Sequence, residues 1–176
     1  MSQTIPLSQP SSNPRKIPSV VFFEHVGELV AQYGADPLLK QLNELYSKYK
    51  FMEAQLQRSK QVLKAKLPDI TNALEMVEYL QSTQEEIKVD FQLSDCIWTK
   101  AEIPQTPSVA LWLGANVMLE YPHEEAIDLL RKNLANAESA LESTDEDLKF
   151  LKEQITTSEV NLSRVYNYTV ISRQGK

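Results

Sequence analysis

The chain has 176 residues, 42% hydrophobic and 24% charged, with a formal net charge of −6. That length suits one ordinary domain, and the dispersed acidity argues against a nucleic-acid binder, because phosphate contacts need clustered Lys and Arg. No window carries the roughly 18 apolar residues of a membrane-spanning helix, and the single cysteine, Cys96, excludes an internal disulfide.

Residues 1–16 hold Pro6, Pro10 and Pro14 among Ser, Gln and Asn, with no apolar core of a signal peptide. They read as a disordered tail, and the expected location is cytosolic or nuclear. Residues 17–35 are different. Ile17, Val20, Val21, Phe22, Phe23, Val26, Leu29, Val30 and Tyr33 form a dense apolar cluster. The last four have helical spacing, and Gly34 is placed to cap a short helix. This extension either docks on a neighbouring subunit or binds a partner as a peptide; the sequence supports both.

A helix is predicted over 36–86, with Asp36 as N-cap and Pro37 in the first turn. Stepping alternately four and three residues from Leu38 gives Leu42, Leu45, Tyr49, Met52, Leu56, Ser59, Leu63, Lys66, Ile70, Ala73, Val77 and Leu80, of which only Ser59 and Lys66 are not apolar. A seam this long favours coiled-coil packing. Pro68 keeps the seam in phase and falls on its outward side, so it reads as a kink and not a break.

The block from 89 to 121 changes period. Odd positions from Ile87 to Ile103 are mostly apolar and the even ones mostly polar, which is a strand pattern interrupted at Ser94-Asp95. Pro104-Gln-Thr-Pro107 is a loop. A second alternating run, Val109 to Tyr121, contains a turn at Gly114-Ala115-Asn116. Its even face also carries Trp112 and Met118, and Cys96 and Trp98 sit on the even face of the first run. Strands apolar on both faces need cover on both, which points to other subunits.

A second helix is predicted over 123–170. Its seam runs Ile127, Leu130, Leu134, Ala137, Leu141, Thr144, Leu148, Leu151, Ile155, Ser158, Leu162, Val165 and Thr169. Both seams span 43 residues, or about 64 Å of helix. Set antiparallel, their paired residue numbers total about 207. Ser59 then meets Leu148, Lys66 meets Leu141, Leu63 meets Thr144 and Tyr49 meets Ser158, each small or polar residue opposite a large one. The acidic run Glu142, Asp145, Glu146 and Asp147 reads as a solvated helix face. The fold class is therefore α+β, mainly α: a long antiparallel coiled-coil hairpin with two β-hairpins between its helices. Residues 173–176 are a tail.

Little in this sequence suggests catalysis or a cofactor. His25 and His123 with one cysteine make no zinc set. The four glycines stand apart, so no phosphate-cradling loop is present. A two-helix hairpin gives carboxylates no desolvated cleft in which to shift their pKa.

Helix, β-hairpins, helix is the layout of prefoldin subunits. Leu111-Trp-Leu-Gly-Ala-Asn-Val-Met-Leu-Glu-Tyr121 resembles the signature stretch of the subunit 3 branch of that family, an α-class branch of von Hippel–Lindau-binding proteins. Lys48-Tyr-Lys-Phe-Met-Glu53, Thr156-Thr-Ser-Glu-Val-Asn161 and Arg164-Val-Tyr-Asn167 are similar too, and Ile17-Pro-Ser-Val-Val-Phe22 resembles the branch's N-terminal extension. The resemblance covers roughly residues 15 to 172 and makes 36–172 a prefoldin domain. It implies a heterohexamer of two α-class and four β-class subunits, whose strands join in a central platform. It further implies ATP-independent capture of unfolded actin and tubulin near the coiled-coil tips, delivery to the cytosolic group II chaperonin, and the von Hippel–Lindau protein as another partner.

On this reading the tip residues for clients are Leu38, Leu42, Leu45, Tyr46, Leu162, Val165, Tyr166 and Tyr168. The assembly residues are Ile97, Trp98, Leu111, Trp112, Leu113, Gly114, Asn116, Val117 and Met118. The rival reading is a coiled-coil scaffold or tether that binds folded partners; the heptads alone support either.

Overall fold

A computed structural model describes residues 5–11, 13, 15–83 and 85–174. The elements run β1 (Ser8–Gln9), β2 (Ser19–Val20), α1 (Val26–Tyr33), α2 (Ala35–Ser82), β3 (Ile87–Ser94), β4 (Ile97–Ile103), β5 (Ser108–Gly114), β6 (Val117–Pro122) and α3 (His123–Gln174). The chain is mainly helical, with small antiparallel hairpins. It forms two compact units, Met1–Val62 with Leu141–Lys176, and Leu63–Ala140.

α2 starts at Ala35, directly after Gly34, which caps α1 with φ +82°. Asp36 is thus inside the first turn and not the N-cap; its charge still favours the exposed amides there. The helix passes through Pro68 without ending. It stops at Ser82, four residues before the expected 86, where Thr83 donates from both its N–H and its hydroxyl to the Tyr79 carbonyl (3.0 and 2.9 Å). α3 begins at His123 with Glu124 and Glu125 in its first turn, and extends to Gln174, past the expected 170. Residues 175–176 of the expected tail lie outside the described residues.

In the first unit, Tyr46 donates to Glu159 (3.0 Å) and Lys60 pairs with Asp145 (2.5 Å), so the paired numbers total 205 in both cases. In the second unit, Arg131 pairs with Glu78 (2.7 Å), a total of 209. The values bracket the 207 expected from the seams. Tyr49 and Ser158, expected to face each other, are both fully buried.

Residues 5–11 differ from the expected disordered tail. Ile5 and Leu7 are buried with Phe23, Val26, Leu38, Leu42 and Val165. β1 pairs antiparallel with β2, Ser8 opposite Val20. Two apolar side chains were enough to seat a segment whose composition is otherwise polar, because the first unit offers them a ready core. Residues 1–4, 12 and 14 of that tail lie outside the described residues.

Each of the longer hairpins is a separate two-stranded sheet. β5 and β6 pair Val109 with Tyr121, Leu111 with Leu119 and Trp112 with Met118; the register then shifts, leaving Leu113 as an extra residue before Gly114 pairs with Val117. The two-residue turn puts Ala115 and Asn116 at φ +48° and +63°, after Gly114 at φ +94°. Left-handed backbone matches the twist of the strands but strains alanine. Ala115→Asn is therefore expected to stabilise this hairpin by up to about 1 kcal/mol, read as slower hydrogen exchange across residues 108–122.

Candidate functional site

Two surfaces stand out, one in each unit. In the second unit, Val77, Ala126, Ile127 and Leu130 form a small core, and Val109, Leu111 and Tyr121 pack against it from one face of the β5–β6 hairpin. The other face is uncovered: Trp112 is 60% exposed and Met118, directly opposite it, 56%. Ile97 and Trp98 on β4 are each 59% exposed, and Phe91 and Leu93 on β3 are as open. Of the expected assembly residues, only Leu111 and Gly114 are half-buried; Ile97, Trp98, Trp112, Leu113, Asn116, Val117 and Met118 are exposed. Two-stranded hairpins are marginal in water by themselves. Here each has free edges and apolar side chains on its outer face, the features of a strand block that closes against partners.

The surface in the first unit was not foreseen as a whole. Along α3, Asp147, Gln154, Asn161 and Tyr168 recur every seventh residue, beside the apolar seam. Each meets the N-terminal segment. Asp147 accepts from Asn13 (3.1 Å) and pairs with Arg15 (2.7 Å). Gln154 Oε1 accepts the Val20 N–H (2.8 Å). Asn161 accepts from the Phe23 N–H (3.0 Å) and donates to the Val21 carbonyl (2.8 Å). The Tyr168 ring lies where a Cβ on Gly27 would come within 3.3 Å of it. From α2, the Tyr49 hydroxyl donates to the Pro18 carbonyl (2.8 Å), and from α3 Arg164 donates to the Glu24 carbonyl (3.1 Å) and stacks over Phe22 at 5.0 Å.

Between these polar contacts, Ile17 and Val20 are buried with Tyr49, Leu151 and Ile155, while Phe23 is buried with Leu38, Leu42 and Val165. The spacing is commensurate. Three residues of extended chain, Val20 to Phe23, cover about 10 Å, and the seven helical residues from Gln154 to Asn161 rise about 10.5 Å. Asp147, expected on a solvated face, is buried instead; the segment that covers it gives Oδ1 a hydrogen bond from Asn13 and sets the Arg15 charge against Oδ2. The alternatives left open for the extension resolve in this chain to a third arrangement, docking on its own helices.

That docking bears on the expected tip residues. Leu38, Leu42 and Val165 are fully buried and present no surface to a partner in this state. Their place in the seam and the cover of Phe23 and Val26 explain it. Leu45, Tyr46 and Leu162 are half-buried, whereas Tyr166 and Tyr168 are exposed, at 61% and 39%. Ile171, at the same end, is the most open of these residues at 69%. The seven-residue polar ladder is written in the sequence at positions flanking the apolar seam.

The hydrogen bond from Tyr46 to Glu159 holds that phenol above its ordinary pKa. Burial raises the phenol of Tyr49 as well. A folded-state pKa above the unfolded one means that the stability Tyr49 contributes is complete below the ordinary phenol value and is lost as pH rises through the folded value. An alkaline titration by phenolate absorbance should therefore show late-ionising tyrosines, one of which disappears in Tyr49→Phe.

Among the described residues no helix is long and apolar enough to cross a membrane, and no group of His, Cys, Asp and Glu could hold a metal ion.

The family model for prefoldin subunits matches residues 49–168. Prefoldin subunit 3 of Mus musculus is 48% identical over 163 residues, covering 89% of this chain and 83% of that one. The probable prefoldin subunit 3 of Schizosaccharomyces pombe is 46% identical over 165 residues, covering 93% and 96%. Among solved structures, a chain of the filamentous PFD of Methanocaldococcus jannaschii superposes with a TM-score of 0.53 at 17% identity, over 65% of this chain and 94% of that one. This last likeness concerns the fold alone.

Proposed function

Because the chain belongs to the prefoldin family, on its subunit 3 branch, we propose that it serves a heterohexameric co-chaperone by holding unfolded actin and tubulin without ATP and passing them to the cytosolic group II chaperonin. Membership makes it a subunit that assembles with other prefoldin subunits, one further α-class and four β-class chains on this reading. Its place of work is the cytosol, with the nucleus as a second site, and the von Hippel–Lindau protein is a further partner.

The observation that carries the holding role is the open apolar row on the last turns of α3. Tyr166 and Ile171 are more than half exposed, and Tyr168 is partly so. Single exposed apolar residues are ordinary on a protein surface. Three on one short stretch give an unfolded chain somewhere to adhere weakly, and several such stretches in one complex retain it by multivalency. A tether for folded partners has no use for a strand block with bare tryptophans, which favours the holdase over the scaffold.

Tyr166→Ser with Ile171→Ser removes the two most open of these residues while leaving the buried seam intact. The assembled complex should then lose several-fold in suppressing aggregation of diluted, denatured actin, with its subunit composition unchanged. Undiminished protection would move the holding role elsewhere in the complex.

A further inference from the structure

All five hydrogen bonds that α2 and α3 make to residues 18–24 go to backbone groups. They engage the carbonyls of Pro18, Val21 and Glu24 and the N–H groups of Val20 and Phe23. The amides of Gln154 and Asn161 that make three of them are themselves buried, at 8% and 0% exposure. Side chains of the segment are met by apolar contact at Ile17, Val20 and Phe23, one every third residue, and by the Arg164 guanidinium stacked over Phe22. A site of this construction reads an extended main chain plus a three-residue apolar period. The Arg164 stack on Phe22 asks for an aromatic ring at one position, and nothing else in it selects a particular sequence.

We infer that this groove on the first unit is a binding site for extended apolar segments of unfolded polypeptides, and that residues 17–24 are its resident occupant. The segment holds the site in cis; a client segment of the same form takes it in trans when the resident leaves. The inference rests on the holdase reading and adds to it the chemical form of the client segment. Beside Pro18, a mainly apolar hollow of about 470 Å³ lies against Leu45, Tyr49, Phe51 and Met52. A client longer than the resident has apolar surface to occupy there.

A tethered occupant acts as a competitor at high effective concentration. The apparent affinity for a free segment is reduced by the fraction of time the groove is open. Removal of the resident should therefore reveal a site that the intact chain conceals.

The test uses the assembled complex with either the full chain or a chain lacking residues 1–24, and three labelled synthetic peptides. One has the sequence of residues 17–24. A second is unrelated but places apolar residues at the same three-residue period. The third is the first with N-methyl groups on the amides of Val20 and Phe23. By fluorescence anisotropy, the first two should bind the truncated complex at least about ten-fold more tightly than the full one, and the N-methylated peptide should fail. Asn161→Leu in the truncated chain should abolish the gain. Should truncation block assembly, Val20→Asp with Phe23→Asp in the full-length chain releases the same segment and takes its place.

Binding of the resident sequence alone would overturn the inference and leave the groove an internal seat. Equal binding of the N-methylated peptide, or no binding to the truncated complex, would overturn it as well. Capture of denatured actin by the full complex is scored separately, so failure of the holdase reading is visible apart from these outcomes.

Discussion

A chain carrying Trp98→Asp and Trp112→Asp keeps its helices and stays out of the complex. Both rings are about 60% exposed in the single chain, so neither contributes much to its own fold. Covering the exposed part of each ring in a partner's strands is worth on the order of 2–3 kcal/mol. Together they amount to roughly 5 kcal/mol, more than a thousandfold in an association constant. The two aspartates add a desolvation cost wherever a partner still closes over them. Helical circular dichroism should be unchanged, and size-exclusion chromatography of the co-expressed subunits should show the variant outside the assembled peak. Normal incorporation would mean that the hairpin faces are not the assembly surface.

Leu42→Ala should have the largest effect on the chain itself. Leu42 is fully buried where α1, α2, α3 and the N-terminal segment meet, beside Leu38, Phe23, Val26 and Val165. Deleting a buried leucine typically costs about 2–5 kcal/mol, the higher values where the surroundings cannot collapse. Here four separate pieces of chain converge, and collapse in one direction opens another contact. The loss should appear first as faster hydrogen exchange over Val26–Tyr33 and the first turns of α2, with amides of the second unit unaffected. Exchange unchanged in α1 would show that this core does not hold the segment down.

The helices and hairpins were legible because each has a period. The 4-3 seams determined not only two helices but their antiparallel pairing, since the polar pairs Tyr46–Glu159, Lys60–Asp145 and Glu78–Arg131 fall within two of the expected total. Gly114-Ala115-Asn116 marked its turn through composition alone. The N-terminal segment was harder. Its apolar density was plain, but an extended strand seated on a helical pair has no period of its own. Its signal lay on the other partner, in Asp147, Gln154, Asn161 and Tyr168 at seven-residue intervals. Such polar residues look like a solvated flank until the segment that covers them is known. Burial of Leu38, Leu42 and Val165 follows from their place in the seam and from the same contact, whereas the tip reading offered them to a partner.

The assembly and the holding role are tested most directly by native mass spectrometry of this chain co-expressed with five other prefoldin subunits. The account predicts a single complex with one copy of each subunit, which gains the mass of one denatured actin when challenged with it. A stable homodimer of this chain, with the other subunits assembling without it, would contradict the account and favour a scaffold.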